Sequence, residues 1–81
     1  MIRVHFGQAL RDVTGGRAEV EIEATTVRQL FRLLDEQFPG IAPRLETGTS
    51  VAINGDIVAD AIFESLPANA EVHFLPTLAG G

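Results

Sequence analysis

With 81 residues the chain is expected to form one domain, and its 46% hydrophobic content suffices for one core. A formal charge of −5 argues against nucleic acid as a partner and favours a basic protein surface. The sequence has no cysteine, which excludes disulfides, thiolate metal sites and a cysteine nucleophile; all six basic residues are arginine, which excludes a lysine Schiff base.

Residues 1–6 alternate, with Ile2, Val4 and Phe6 on one face and Arg3 and His5 on the other, the pattern of a half-buried strand. A loop carrying Thr14-Gly15-Gly16, a turn signal, leads to a second alternation over 18–23, where Val20 and Ile22 oppose Glu19, Glu21 and Glu23. The two read as an antiparallel hairpin. If paired positions sum to about 24, Arg3 meets Glu21 and His5 meets Glu19, pairs that each contribute about 0.2–1 kcal/mol and help register. Thr26 is a good N-cap with Gln29 completing a capping box, and Val27, Leu30, Phe31, Leu34 and Phe38 form one apolar helical stripe. Pro39-Gly40 stops that helix, and residues 41–45 read as a short connector with at most a single helical turn.

Residues 50–54 read as a strand with Val51 and Ile53 inward. Asn54-Gly55 is a strong hairpin signal, and 56–58 is the return strand. Ile62, Phe63 and Leu66 read as a loop pinned to the core, and Pro67-Ala-Asn69 as a turn. Residues 71–75 form the last strand, with Val72 and Phe74 inward and Glu71, His73 and Leu75 outward. The predicted architecture is α+β: a mixed sheet with one main helix packed across one face. The expected division is a domain over 1–75 and a flexible C-terminal tail over 76–81. No apolar run resembles a leader or approaches the about 18 residues of a membrane span, so a cytoplasmic location and no membrane partner are expected.

The side chains offer little self-contained chemistry. His5 and His73 titrate near neutral pH when unperturbed and come close if the first and last strands are neighbours. A metal needs more ligands in suitable geometry, so they read as exposed sheet histidines, with no metal site and no bound cofactor expected. Asp56, Asp60 and Glu64 do not form a calcium loop, and Gly15-Gly16 lacks a phosphate-loop context. The tail is different. Leu75, Pro76 and Leu78 form an apolar strip leading to Gly80 and Gly81. Glycine lacks a Cβ and passes a narrow channel in dihedrals closed to other residues. The reactive group is therefore expected to be the C-terminal carboxylate, fed into a partner's groove as an extended strand.

Taken in order, Met1-Ile-Arg-Val-His-Phe6, Ala9-Leu-Arg11, Phe38-Pro-Gly40, Val51-Ala-Ile-Asn-Gly55, Glu71-Val-His-Phe-Leu-Pro76 and Gly80-Gly81 resemble the small β-grasp sulfur carriers. This is the family of the molybdopterin synthase small subunit and the thiamine-pathway carrier. The resemblance implies a ubiquitin-like β-grasp fold with the first and last strands parallel and central. It implies that an E1-like adenylating enzyme uses ATP to activate Gly81, and that a sulfurtransferase or cysteine desulfurase then supplies sulfur, leaving a thiocarboxylate. The chain would be a co-substrate and not an enzyme by itself. Arg11 aligns with an arginine that contacts the activating enzyme in the family. An acceptor enzyme, such as a molybdopterin synthase large subunit, would take the sulfur. The opening strand and Arg11 favour molybdopterin synthesis, although Pro76-Thr-Leu-Ala-Gly-Gly81 departs from that subunit's usual ending. Thr14-Gly-Gly16, Pro39-Gly-Ile41 and Leu75-Pro76 are similar to carriers for cysteine synthesis. A ubiquitin-like protein modifier and a plain binding module are the other readings.

Overall fold

The structure, a computed structural model, describes residues 1–76. Five strands, β1 (Ile2–His5), β2 (Glu19–Ile22), β3 (Thr49–Ile53), β4 (Asp56–Val58) and β5 (Glu71–Pro76), form one sheet in the order β2-β1-β5-β3-β4. The first hairpin has the expected register: Ile2 pairs with Ile22, Arg3 with Glu21, Val4 with Val20 and His5 with Glu19. β1 and β5 run parallel, Val4 beside Val72 and His5 beside His73. β3 is antiparallel to both β5 and β4. This is the mixed sheet of a β-grasp fold, and the parallel first and last strands lie inside it. The part of the expected tail beyond Pro76, with Leu78, Gly80 and Gly81, lies outside the described residues.

The principal helix, α2 (Val27–Gln37), follows a short α1 (Arg11–Thr14). Thr26 caps α2: its Oγ1 accepts from the Gln29 N–H at 3.1 Å. The Gln29 side chain reaches back one residue further than a capping box requires, accepting from the Thr25 N–H at 2.9 Å. Val27, Leu30, Phe31 and Leu34 are buried as the stripe predicts, while Phe38 is half-buried at the C-cap. Phe74 of β5 is the meeting point of the layers, with ring centroids 5.9 Å from Phe31 and 6.3 Å from Phe6. Such aromatic contacts add about 0.5–1.5 kcal/mol beyond area burial.

Three local readings are corrected. The connector after α2 is a full helix, α3 (Ile41–Gly48), with Ile41 and Leu45 buried. Gly40 reverses the chain at φ 95° but does not end helical structure. Pro43 lies in the first turn, where no intrahelical N–H bond is due, and Asp35 Oδ1 accepts from the Gly40 and Ala42 N–H groups at 3.1 Å each. The loop before β2 contains a 3-10 turn (Gln8–Leu10) and α1, closed by Gly15 at φ 70°. In the loop after β4, Leu66 is buried and Ile62 half-buried, but Phe63 is 76% exposed. A single 3-10 turn (Ala61–Phe63) points consecutive side chains about 120° apart, so they cannot all face the core.

Two tight contacts set the ends of the central strands. A Cβ on Gly7 would lie 2.8 Å from the Phe74 carbonyl oxygen, so the chain leaving β1 runs against the backbone of β5. At the opposite end Asn54, in the β3–β4 turn at φ 51°, donates its N–H to Glu71 O at 2.8 Å, and its Oδ1 accepts from the Glu71 N–H at 2.9 Å.

Phe31→Ala is expected to open a cavity under the Phe74 ring and cost about 3–5 kcal/mol of unfolding free energy. Domains of this kind have about 5–15 kcal/mol in total. Urea unfolding with an unchanged slope tests this; a native midpoint would contradict the assigned helix face.

Candidate functional site

Because β1 and β5 are parallel, their C-terminal ends emerge at one edge of the fold. Of the residues singled out in the sequence, Leu75 and Pro76 lie at the end of β5, and Arg11 follows in the segment after β1. β5 continues to Pro76, paired with Thr49, and Leu75 pairs with Ser50. Leu75 is 38% exposed and Pro76 is exposed. Leu78, Gly80 and Gly81 lie outside the described residues. Gly7, seated against Phe74, begins the segment that carries Arg11 as the first residue of α1. Arg11 is exposed and, among the described residues, makes no ion pair.

The segment around Arg11 is held by a clamp that the sequence reading missed. Arg44 of α3 donates from one guanidinium nitrogen to both oxygens of Asp12, at 2.9 and 2.8 Å, and from another to the Ala9 carbonyl. The Arg44 guanidinium holds the exposed Asp12 carboxyl below the usual carboxylate range. Thr14, buried at 5% exposure, donates its hydroxyl to the Arg17 carbonyl at 3.0 Å and closes the same segment. No sequence signal links Asp12 with Arg44, because their proximity depends on where α3 packs.

The sheet's open face is polar. Arg3 lies 3.6 Å from Glu21, and the N-terminal ammonium 3.6 Å from Glu23. Such exposed pairs contribute little to stability. At the centre the rings of His5 and His73 stack with centroids 4.2 Å apart and planes 14° apart. His5 Nδ1 is 3.2 Å from Glu19 Oε2, and His5 Nε2 is 3.3 Å from Glu71 Oε1. Glu19 is the partner that the hairpin register predicts, and the parallel pairing with β5 brings in His73 and Glu71. Among the described residues no helix is long and apolar enough to cross a membrane.

The ThiS family model matches residues 4–81. No curated protein matches the sequence. Among solved structures, the chain is similar to one in the Amycolatopsis orientalis BexX/CysO complex, at 25% identity over 100% of both chains, with a TM-score of 0.86. It is similar in fold to the small archaeal modifier protein SAMP1 of Haloferax volcanii, at 22% identity over 99% of this chain and 98% of that one (TM-score 0.71). A chain in the complex of molybdopterin-converting factor subunits 1 and 2 from Helicobacter pylori shares the fold at 19% identity, over 99% and 97% of the two chains (TM-score 0.68).

The clamp makes a pH prediction. Asp12 is stabilised in its ionised form in the folded state, so the pairing stabilises the fold above the ordinary carboxylate pKa of about 3.9 and is lost as pH falls through the lowered value. Arg44→Ala is expected to melt below the parent at neutral pH, with the difference narrowing in acid to what the bond to the Ala9 carbonyl contributes. Parallel melting-temperature profiles across that range would refute it.

Proposed function

The chain belongs to the ThiS family, and from that membership we propose that it carries sulfur as a thiocarboxylate on Gly81. The observation that carries the reading is β5: an inner strand between β1 and β3 that ends in exposed Leu75 and Pro76. A scaffold of this kind presents a terminus while the domain itself stays folded. The composition agrees with it. A chain without cysteine or lysine holds no side chain suited to persulfide or amine chemistry, and the C-terminal carboxylate remains.

A carboxylate is a poor electrophile. ATP, bound by an E1-like adenylating partner, converts it to an acyl-adenylate with release of pyrophosphate. The terminal sulfur of a donor's persulfide, formed on a sulfurtransferase or cysteine desulfurase, attacks the acyl carbon and AMP departs. A thiol then takes the donor sulfur of the resulting acyl disulfide as a protein disulfide, and the thiocarboxylate leaves. Gly80 and Gly81 let this terminus enter a narrow channel, and Leu75, Pro76 and Leu78 line the approach as an apolar strip. Arg11, exposed and without an ion pair among the described residues, is the residue we assign to contact with the activating enzyme. We assign the sulfur to molybdopterin synthesis, with a synthase large subunit as the acceptor. The supporting features are the opening strand and Arg11. A carrier for cysteine formation is the alternative, supported by Thr14-Gly-Gly16, Pro39-Gly-Ile41 and Leu75-Pro76. The reading places the chain in the cytoplasm as a co-substrate, without a bound cofactor.

The intact mass of untagged protein, isolated from a host with matched partners, tests the proposal. A species heavier by the difference between one sulfur and one oxygen is expected, localised to the Gly81 peptide and lost on alkaline hydrolysis. Deleting Gly81, or adding one residue after it, should abolish this species and sulfur transfer without changing the melting temperature. An inert carboxylate in the presence of ATP and the activating enzyme would instead support a plain binding module. Isopeptide-linked adducts without thiocarboxylate would support a protein modifier. Supplying the thiocarboxylate form with a molybdopterin precursor and the large subunit separates the two sulfur-acceptor pathways.

A further inference from the structure

One row of side chains on the open face has a chemistry that the carboxylate at Gly81 does not use. Strand pairing sets Glu19, His5 and His73 side by side on β2, β1 and β5, with Glu71 two residues before His73. One ring nitrogen of His5, Nδ1, faces Glu19 Oε2 at 3.2 Å; the other, Nε2, faces Glu71 Oε1 at 3.3 Å. Nε2 is shut off from solvent and makes no hydrogen bond, despite the nearby carboxylate. Leaving a buried polar atom unpaired is costly. In the neutral tautomer that carries its proton on Nδ1, the nitrogen facing Glu19, the His5 ring turns the Nε2 lone pair toward an anionic oxygen. Two electron-rich atoms at that distance repel unless a cation lies between them.

We infer that His5, His73 and Glu71 form a binding site for a divalent transition-metal ion such as Zn2+, with Glu19 orienting His5 from behind. Donor atoms of the three residues all lie within 4.8 Å of one another. A tetrahedral zinc with bonds of about 2.0–2.1 Å needs its donors about 3.4 Å apart. Rotation of the exposed Glu71 side chain and of the two half-buried rings closes that gap without moving the strands. Two imidazoles and a carboxylate suit zinc and its neighbours and not the oxygen-seeking calcium and magnesium. A carboxylate behind a ligating histidine is the usual arrangement that fixes its tautomer. Three protein ligands leave one coordination position open, and the chain's charge of −5 favours cation capture.

The test uses the full chain, without a polyhistidine tag and stripped with chelator, titrated with Zn2+. Calorimetry gives the stoichiometry, and NMR follows the ring Cε1–H resonances of both histidines. One ion per chain is expected, with both rings responding together and saturably. His73→Gln and Glu71→Gln should each weaken binding at least tenfold, and Glu19→Gln about 10–100-fold, the range for an outer-sphere partner. Glu71 is exposed, so its variant decides the matter if the histidine variant melts differently. Rings that move with pH but not with Zn2+ would assign the gap to a proton and overturn the site. Unchanged zinc affinity in Glu71→Gln and His73→Gln would overturn it equally.

Discussion

The parallel ladder between β1 and β5 joins the two ends of the chain, setting Arg3 beside Glu71, Val4 beside Val72 and His5 beside His73. Closing so long a loop costs entropy, although the cost grows only slowly with length. Burial offsets it: Val4, Val72 and Phe74 are at most 1% exposed, beneath α2. Parallel neighbours cannot be joined by a tight turn. The chain therefore completes β2, α2, α3, β3 and β4 before β5 closes the centre of the sheet. In the sheet β5 lies between β1, which pairs with Glu71, Val72 and His73, and β3, which pairs with it from Val72 through Pro76.

The same ladder gives the two sheet faces different work. On the covered face, inward residues of four strands meet Val27, Leu30, Phe31 and Leu34. On the open face the ladder lines up the histidines with carboxylates from both sides. These pairings share one register, since slipping β5 by one residue would exchange its buried and exposed sets. Gly7 against the Phe74 carbonyl and the two bonds between Asn54 and Glu71 hold β5 near its two ends. The stability of the core and the geometry of the open face are thus settled by one alignment.

Helix α3 has a parallel role on the other layer. It buries Ile41 and Leu45, and it delivers Arg44 to Asp12 and Ala9, beside Arg11. A helix that looks like a connector in sequence therefore braces the segment on which the proposed contact residue stands. Its start is secured by Asp35, whose side-chain oxygen accepts from the Gly40 and Ala42 N–H groups.

The sequence by itself determined the strands, the principal helix, the first hairpin's register and the Asn54-Gly55 turn. These depend on short-range periodicity and on turn and cap residues, whose preferences act within a few positions. Tertiary structure alone decided the rest. Helix α3 was hidden because Pro39-Gly40 and Pro43 read as breakers, and only the Asp35 cap and the burial of Ile41 and Leu45 make a helix there favourable. Phe63 read as core because hydrophobicity does not reveal which way a single turn faces. The Arg44 clamp and the meeting of His5, His73 and Glu71 join residues far apart in the chain. No local pattern encodes such contacts; they exist because burying one apolar face fixes where every strand and helix lies.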